Sequence, residues 1–176
     1  MQKAMNRITL KPLDGVIINE SKISFGQTKN DLIRLLGNPD YEEENQIFYN
    51  NLDVRFDLDK NGLLEFIECQ GPYSENSEFN IYGINPFKLP ANELVTLLTN
   101  KNDGEIDDFE VPYSYSFLEI SVGVWRATVP TDIAAAIAEM KADGSYEAAK
   151  EVMDQDLEKS GYFWTVAVGK VDYYKI

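Results

Sequence analysis

The stretch Asp57-Leu-Asp-Lys-Asn-Gly-Leu-Leu-Glu-Phe-Ile-Glu68 holds a compact set of oxygen donors. Counted from Asp57, they stand at positions 1, 3 and 5 (Asp57, Asp59, Asn61), with glycine at 6 (Gly62), an aliphatic at 8 (Leu64) and glutamate at 12 (Glu68). That is the spacing with which an EF-hand loop surrounds calcium. The flanking text, however, alternates with period two. Leu52, Val54, Phe56 and Leu58 point one way while Asp53, Arg55, Asp57 and Asp59 point the other, which predicts a β-strand. Asp59-Lys60-Asn61-Gly62 then reads as a hairpin turn, because Asn and Gly tolerate positive φ and Asp bonds nearby amides. The hairpin is the favoured reading and a calcium module the alternative. No metal or other cofactor is assigned.

Two further groups of carboxylates attract attention: Glu42, Glu43 and Glu44, then Asp103, Glu105, Asp107, Asp108 and Glu110. A carboxylate-pair hydrolase needs two such groups about 5–10 Å apart, one of them with a displaced pKa, across an aromatic cleft. Trp125 and Trp164 could line one, yet both lie in expected strands where burial in the core is the ordinary role. The acidic loops read better as a surface that attracts a basic protein partner.

What is missing narrows the chemistry. The chain has 176 residues with 30 acidic and 16 basic side chains, a net charge of -14 and no histidine. No Ser-His-Asp or Cys-His relay and no histidine-ligated zinc can be built. The sequence pI near 4.3 opposes binding to a phosphate backbone, which needs Lys and Arg to displace counterions. Nucleic acid is therefore excluded as an expected ligand, and no Gly-rich phosphate loop opens a helix. The polar opening from Met1 to Leu10 carries no signal-peptide core, and no apolar run approaches the ~20 residues of a membrane span. The expectation is a cytoplasmic protein with no membrane contact. Cys69, alone and in an alternating run, reads as a small buried hydrophobe.

The elements that would position these groups follow from periodicity. Arg7–Leu10 and Val16–Asn19 read as short strands. A helix is predicted from Thr28, as N-cap with Asp31 three residues on, to Leu36, with Gly37 ending it. Its pattern recurs: Phe25, Asp31, Leu32, Ile33, Leu35 and Leu36 match Phe87, Glu93, Leu94, Val95, Leu97 and Leu98 at an offset of 62. Tyr49, Leu52, Val54 and Phe56 likewise match Phe117, Ile120, Val122 and Val124 at an offset of 68. This suggests an internal repeat, 23–69 and 85–129, of one helix-plus-hairpin unit, with an acidic loop at the equivalent place in each copy. Gln70 to Asn80 reads as a loop. Thr131 is the expected N-cap of a third helix that stops at Gly144, and Ser145 of a fourth from Tyr146 to Lys159, with an apolar stripe of Ala148, Ala149, Val152, Met153 and Leu157. Tyr162 to Tyr174, aromatic and β-branched, is expected to form one long strand with Gly169 as a bulge.

The run ISFGQTKNDLIRLLGNPDY, followed by a hairpin, resembles a small module through Gly26, Thr28, Leu36, Gly37 and Pro39. That module occurs in outer-membrane assembly lipoproteins and, in tandem, in the β-lactamase inhibitor protein. The acidic, histidine-free composition, the hairpin from Phe56 to Gly62 and the closing YFWTVAVGKVDYY also resemble bacterial immunity proteins encoded beside polymorphic or contact-dependent toxins. That resemblance implies a non-enzymatic protein that blocks a cognate toxin domain, commonly basic, through acidic and aromatic surface groups. The expected fold is α+β within one domain, 1–176. It is a mostly antiparallel sheet from two tandem helix-plus-hairpin units, with a C-terminal helix pair and final strand over 131–176.

Overall fold

A computed structural model describes residues 5–175; Met1–Ala4, which open the polar N-terminal run, and Ile176 lie outside the described residues. The fold is α+β, with antiparallel-rich sheets and four helices. Strands β1 (Asn6–Lys11), β2 (Gly15–Ile18) and β3 (Ser21–Ser24) form a meander. Helix α1 (Lys29–Leu36) follows, and then a second meander of β4 (Tyr41–Glu43), β5 (Gln46–Tyr49), β6 (Val54–Leu58) and β7 (Leu64–Gln70). β8 (Ser77–Asn80) runs back parallel to β1 and completes a four-stranded sheet in the order β3-β2-β1-β8. Helix α2 (Ala91–Asn102) leads to β9 (Ile106–Asp107), β10 (Ser114–Phe117) and β11 (Val122–Trp125). Helices α3 (Pro130–Asp143) and α4 (Tyr146–Ser160) then intervene before β12 (Thr165–Gly169). The second sheet has eight strands in the order β4-β5-β6-β7-β12-β11-β10-β9.

That order reads as two four-strand meanders joined back to back through β7 and β12. Corresponding elements of the two meanders are separated by offsets of 62 and 68 residues. α1 starts at Lys29 and α2 at Ala91, 62 residues apart. Tyr49 pairs with Val54 and Phe117 with Val122, each across a tight turn, 68 residues apart. Asp53 at φ 55° and Ser121 at φ 51° hold the same left-handed place in those turns, and their carbonyls accept from Gln70 N and Gly169 N at 2.9 and 2.8 Å. β12, which the sequence places with the C-terminal part, is the fourth strand of the second meander. The helix pair α3–α4 is inserted where the first meander has only the Asp59–Leu63 turn.

Local chemistry explains most boundaries. Thr28 and Asp31 cap α1 reciprocally, with Thr28 N donating to Asp31 Oδ2 at 2.9 Å and Asp31 N to Thr28 Oγ1 at 3.3 Å, and Gly37 at φ 85° ends it. At α3 the cap differs from expectation. Pro130 is the first helical residue and the Asp132 carboxylate accepts from Val129 N at 3.1 Å, so Thr131 is already inside the first turn. Ser145 does not cap α4; its hydroxyl donates to Asp143. α2 lacks a side-chain cap, and its first amide, Ala91 N, donates to Gly161 O at 2.9 Å.

One core joins both sheets to α1 and α2. Leu32 and Leu94, at equivalent turns of the two helices, are fully buried and belong to one cluster with Ile23, Tyr49, Phe56, Ile67, Val122 and Val166. Cys69 is buried among them, and burial pushes its thiol pKa up. Tyr49 Oη donates to Gly37 O at 2.8 Å; burial first, then Glu42 and Asp40, push its phenol up to about 12.

Three expectations are corrected by packing. The long final strand is short: β12 stops at Gly169, and residues 171–174 form a turn that folds back over the sheet. Gln70 to Asn80 contains β8, whose polar Ser-Glu-Phe-Asn text carries no strand signal; its partner β1 lies some 70 residues away. The apolar stripe of α4 is not buried as a unit, since Val152 and Leu157 are exposed and only Ala149 and Met153 are partly covered. The two helices pack on each other.

At the C-terminus of α2, Asn102 clamps two loops. Its Nδ2 donates to Glu105 O at 2.9 Å and its Oδ1 accepts from Glu119 N at 2.9 Å and Ile120 N at 3.3 Å. Asn102→Ala would leave the buried Ile120 amide and the half-buried Glu119 amide without this partner, and its expected cost is about 2 kcal/mol, measurable by urea denaturation. A loss below about 0.5 kcal/mol, within the range of an ordinary surface substitution, would show that water replaces the clamp.

Candidate protein-binding face

Period-two alternation divides the eight-stranded sheet into two faces. Ile47, Tyr49, Val54, Phe56, Val122, Val124, Val166 and Val168 point into the core with the helices. Across the other face, one row of paired residues runs Tyr41, Phe48, Arg55, Glu68, Ala167, Gly123, Ser116, Asp107. This outer face has an aromatic flank at each side and a filled centre. Tyr41 and Phe48 pack at 5.4 Å on the β4–β5 side. Trp125, 43% exposed, packs edge-on to Trp164 at 6.1 Å at the far side. Both tryptophans therefore depart from expectation. Trp125 ends β11 on the open face, and Trp164 precedes β12.

The centre is covered by the C-terminal turn. Tyr173 stacks on Phe66 at 4.8 Å, and Tyr174 stands edge-on to both. Small residues make the room. A Cβ on Gly123 would lie 2.1 Å from Tyr174 Oη, and one on Gly169 would lie 2.5 Å from Tyr173 Cβ. Lys170 pairs with Glu65 at 2.9 Å and Lys175 with Glu119 at 3.0 Å, fastening both ends.

The predicted carboxylates occupy opposite borders of this sheet. Glu42 and Glu43 lie on edge strand β4 and Glu44 in the turn after it, at φ 50°. Glu42 is partnered by Lys29. Asp107 lies on the other edge strand, β9; Asp103 and Glu105 precede it and Asp108 and Glu110 follow. Three of the eight, Glu42, Glu43 and Asp107, lie in these short edge strands and the other five in the adjoining loops and turns; seven strand spacings separate the two borders, roughly 33 Å. They occupy equivalent positions without forming one patch. The second border also displays Phe109, 93% exposed, held out by an Asx turn in which Phe109 N donates to Asp107 Oδ1 at 3.2 Å.

The calcium spacing meets a different fate. Asp59 Oδ1 accepts from Asn61 N and Leu63 N at 2.8 and 3.0 Å, and Gly62 sits at φ 77°, which is hairpin chemistry. Asp57 and Glu68 both pair with Arg55, at 2.8 and 3.1 Å. Among the described residues, no group of three or more Asp, Glu, His or Cys side chains is arranged to hold a metal ion. Asp57 and Glu68 thus share one guanidinium, and Arg55 in turn packs over the ring of Phe66, on which Tyr173 stacks. Sequence reading centres the site on carboxylates and passes over Arg55, Phe66, Tyr173 and Tyr174. The alternation that assigns Arg55 to the face opposite Val54 and Phe56 was the available signal for the first; the turn that brings the tyrosines back has none.

Burial raises the Glu68 carboxyl pKa, with Arg55 opposing it. Asp31, Asp59, Asp143 and Asp154 are held low, chiefly by hydrogen bonds to their charged forms. The signs are opposite. The raised Glu68 adds stability that is present below its unfolded value and lost as pH rises through its folded value. The lowered aspartates add stability that is present above their unfolded value and lost as pH falls through their folded values. Stability is expected to peak at mildly acidic pH, and Glu68→Gln is expected to flatten the alkaline side of that peak. Urea midpoints from pH 3 to 8 check this; a maximum above pH 7 would contradict it.

Among the described residues, no helix is long and apolar enough to cross a membrane. Compared with protein-family models, with curated proteins and with solved structures, the chain matches none.

Proposed function

We propose that the chain is a non-enzymatic neutralising protein of the immunity kind, acting in the cytoplasm, which docks a basic toxin domain across the outer face of its eight-stranded sheet. The observation that carries this reading is the make-up of that face. Exposed Tyr41, Trp125 and Phe109 stand at its flanks beside two acidic borders. Aromatic side chains are the groups that anchor protein interfaces, and complementary charge accelerates encounter and selects partners. The enclosed Asp57–Arg55–Glu68 cluster, roofed by aromatic rings, favours a binding role over hydrolysis.

The test is co-expression with the product of the gene immediately upstream. Restored growth and a purified complex are expected; a toxic neighbour that is neither bound nor neutralised would overturn the proposal. Because the borders are separated by more than the ~8 Å Debye length at physiological salt, their contributions should be nearly independent. Glu42→Gln, Glu43→Gln and Glu44→Gln together should slow association about threefold, Asp107→Asn and Asp108→Asn together about threefold, and all five about tenfold with a flatter salt response. Unchanged association in all three variants would place the interface elsewhere.

A further inference from the structure

A hollow of about 330 Å³ opens between β8, the loop from Gly71 to Ser74 and the end of α4, within the range of small-ligand pockets, roughly 300–1,000 Å³. Its floor is the T-shaped pair Phe79–Phe87, with ring centroids 5.1 Å apart. The Phe87 ring packs closely on Gly71, itself part of the lining, where a Cβ would lie 2.3 Å from the ring. Tyr73 and Tyr162 contribute to the walls.

The polar groups of the lining are divided by depth. Ser77 Oγ donates to Leu52 O at 2.7 Å and Ser74 Oγ to Asp53, so both hydroxyl protons are turned away into the protein. The remaining polar side chains of the lining include Asn85, whose Oδ1 accepts from Phe87 N at 3.0 Å, and the charged Glu78 and Glu158, with Lys88 loosely paired to Glu78 at 3.9 Å. Both Glu78 and Lys88 are largely exposed. Burial first, and then the Glu158 charge, raise the Tyr73 phenol pKa, so the hydroxyl stays neutral beside that carboxylate.

Aromatic rings below and two carboxylates to one ammonium at the mouth suit a cation carried on an apolar body, because ring quadrupoles and carboxylates both attract positive charge. We propose that this hollow is a binding site for a small organic ammonium ion with an aromatic or aliphatic body, separate from the sheet face assigned to the toxin. The apolar part would displace water from the Phe79–Phe87 floor, and the cation would sit between Glu158 and Glu78, replacing the loose Lys88 contact.

The test uses the full chain and three probes of similar size: phenethylammonium, neutral 2-phenylethanol and anionic 3-phenylpropanoate. Titrations are followed by the backbone amide resonances of Tyr73, Ser74 and Ser77. The ammonium should bind about tenfold more tightly than the alcohol, and the propanoate no better than the alcohol. Tyr73→Ala, at an exposed position, should weaken the ammonium about fivefold, and Glu78→Gln with Glu158→Gln should bring it to the alcohol's level. Equal affinity for all three probes would reveal an apolar crevice without charge selection; tighter propanoate binding would assign the site to Lys88. Either result, or no shift of these resonances, overturns the proposal. None of these outcomes depends on the toxin reading.

Discussion

Arg126→Ala is expected to lower stability by about 4 kcal/mol, the largest single loss among the substitutions considered. Arg126 is nearly buried, and burial lowers its pKa against opposing influences from Tyr115, Asp132 and Tyr113. Its guanidinium reaches across the root of the inserted helix pair. Nη1 donates to Ser160 O at 2.8 Å, Nε to Pro112 O at 3.1 Å, and the charge lies 5.2 Å from the Phe163 ring centroid. Truncation removes two charge-assisted hydrogen bonds, strands two carbonyls and opens a cavity beside Phe163. In a chain of this size the loss corresponds to a fall in Tm of about 8–16 °C. Lysine keeps the charge but lacks the planar fork, so Arg126→Lys should recover about half. Hydrogen exchange distinguishes this from general destabilisation: residues of α3 and α4 should lose protection before β6, β7 and β12. Uniform loss would show that the helix pair has no independent root.

Gly123→Val is expected to cost about 3 kcal/mol and to expel the C-terminal turn while leaving the sheet paired. Valine suits a strand, and the Gly123 backbone already pairs with Ser116 and Ala167. Its Cβ, however, would fall 2.1 Å from Tyr174 Oη and 2.7 Å from Cζ, so the tyrosine has to leave. The loss is the packing of Phe66, Tyr173 and Tyr174, about 0.5–1.5 kcal/mol for each aromatic pair beyond the area uncovered. Tyr174 then returns toward an ordinary phenol, since burial is the main cause of its raised pKa. Spectroscopic titration should show one more tyrosine ionising near pH 10, and trypsin should cut readily at Lys170. If both stay as in the wild type, the turn has another seat. The same variant uncovers the centre of the proposed interface, so a partner that uses that centre should bind it differently from one that uses only the flanks.

These two positions show where the sequence was silent. α1 was legible because Thr28, Asp31 and Gly37 act within a few residues of one another, and the β6–β7 hairpin because alternation and an Asx-based turn agree. The residues matched between the two halves flank a tight turn with a left-handed residue, Asp53 in one and Ser121 in the other. β8 was illegible because its partner is remote and its residues are polar. The α4 stripe misled because amphipathicity shows that a face could be buried and says nothing of whether a neighbour covers it. Trp125 misled for a related reason: a strand residue has two possible faces, and hydrophobicity alone does not choose between them.

By itself, then, the sequence determined the charge, the absence of imidazole chemistry, the places of most helices and the division of strand residues into two faces. All of these depend on residue identity or on spacing of a few residues. The tertiary structure decided that β7 meets β12, that the acidic groups lie on opposite borders, that Asp57 and Glu68 share Arg55, and that Tyr173 and Tyr174 cover the centre of the open face. Period two settles which way a side chain points, whereas the neighbour across the ladder is chosen by contacts between segments about 100 residues apart.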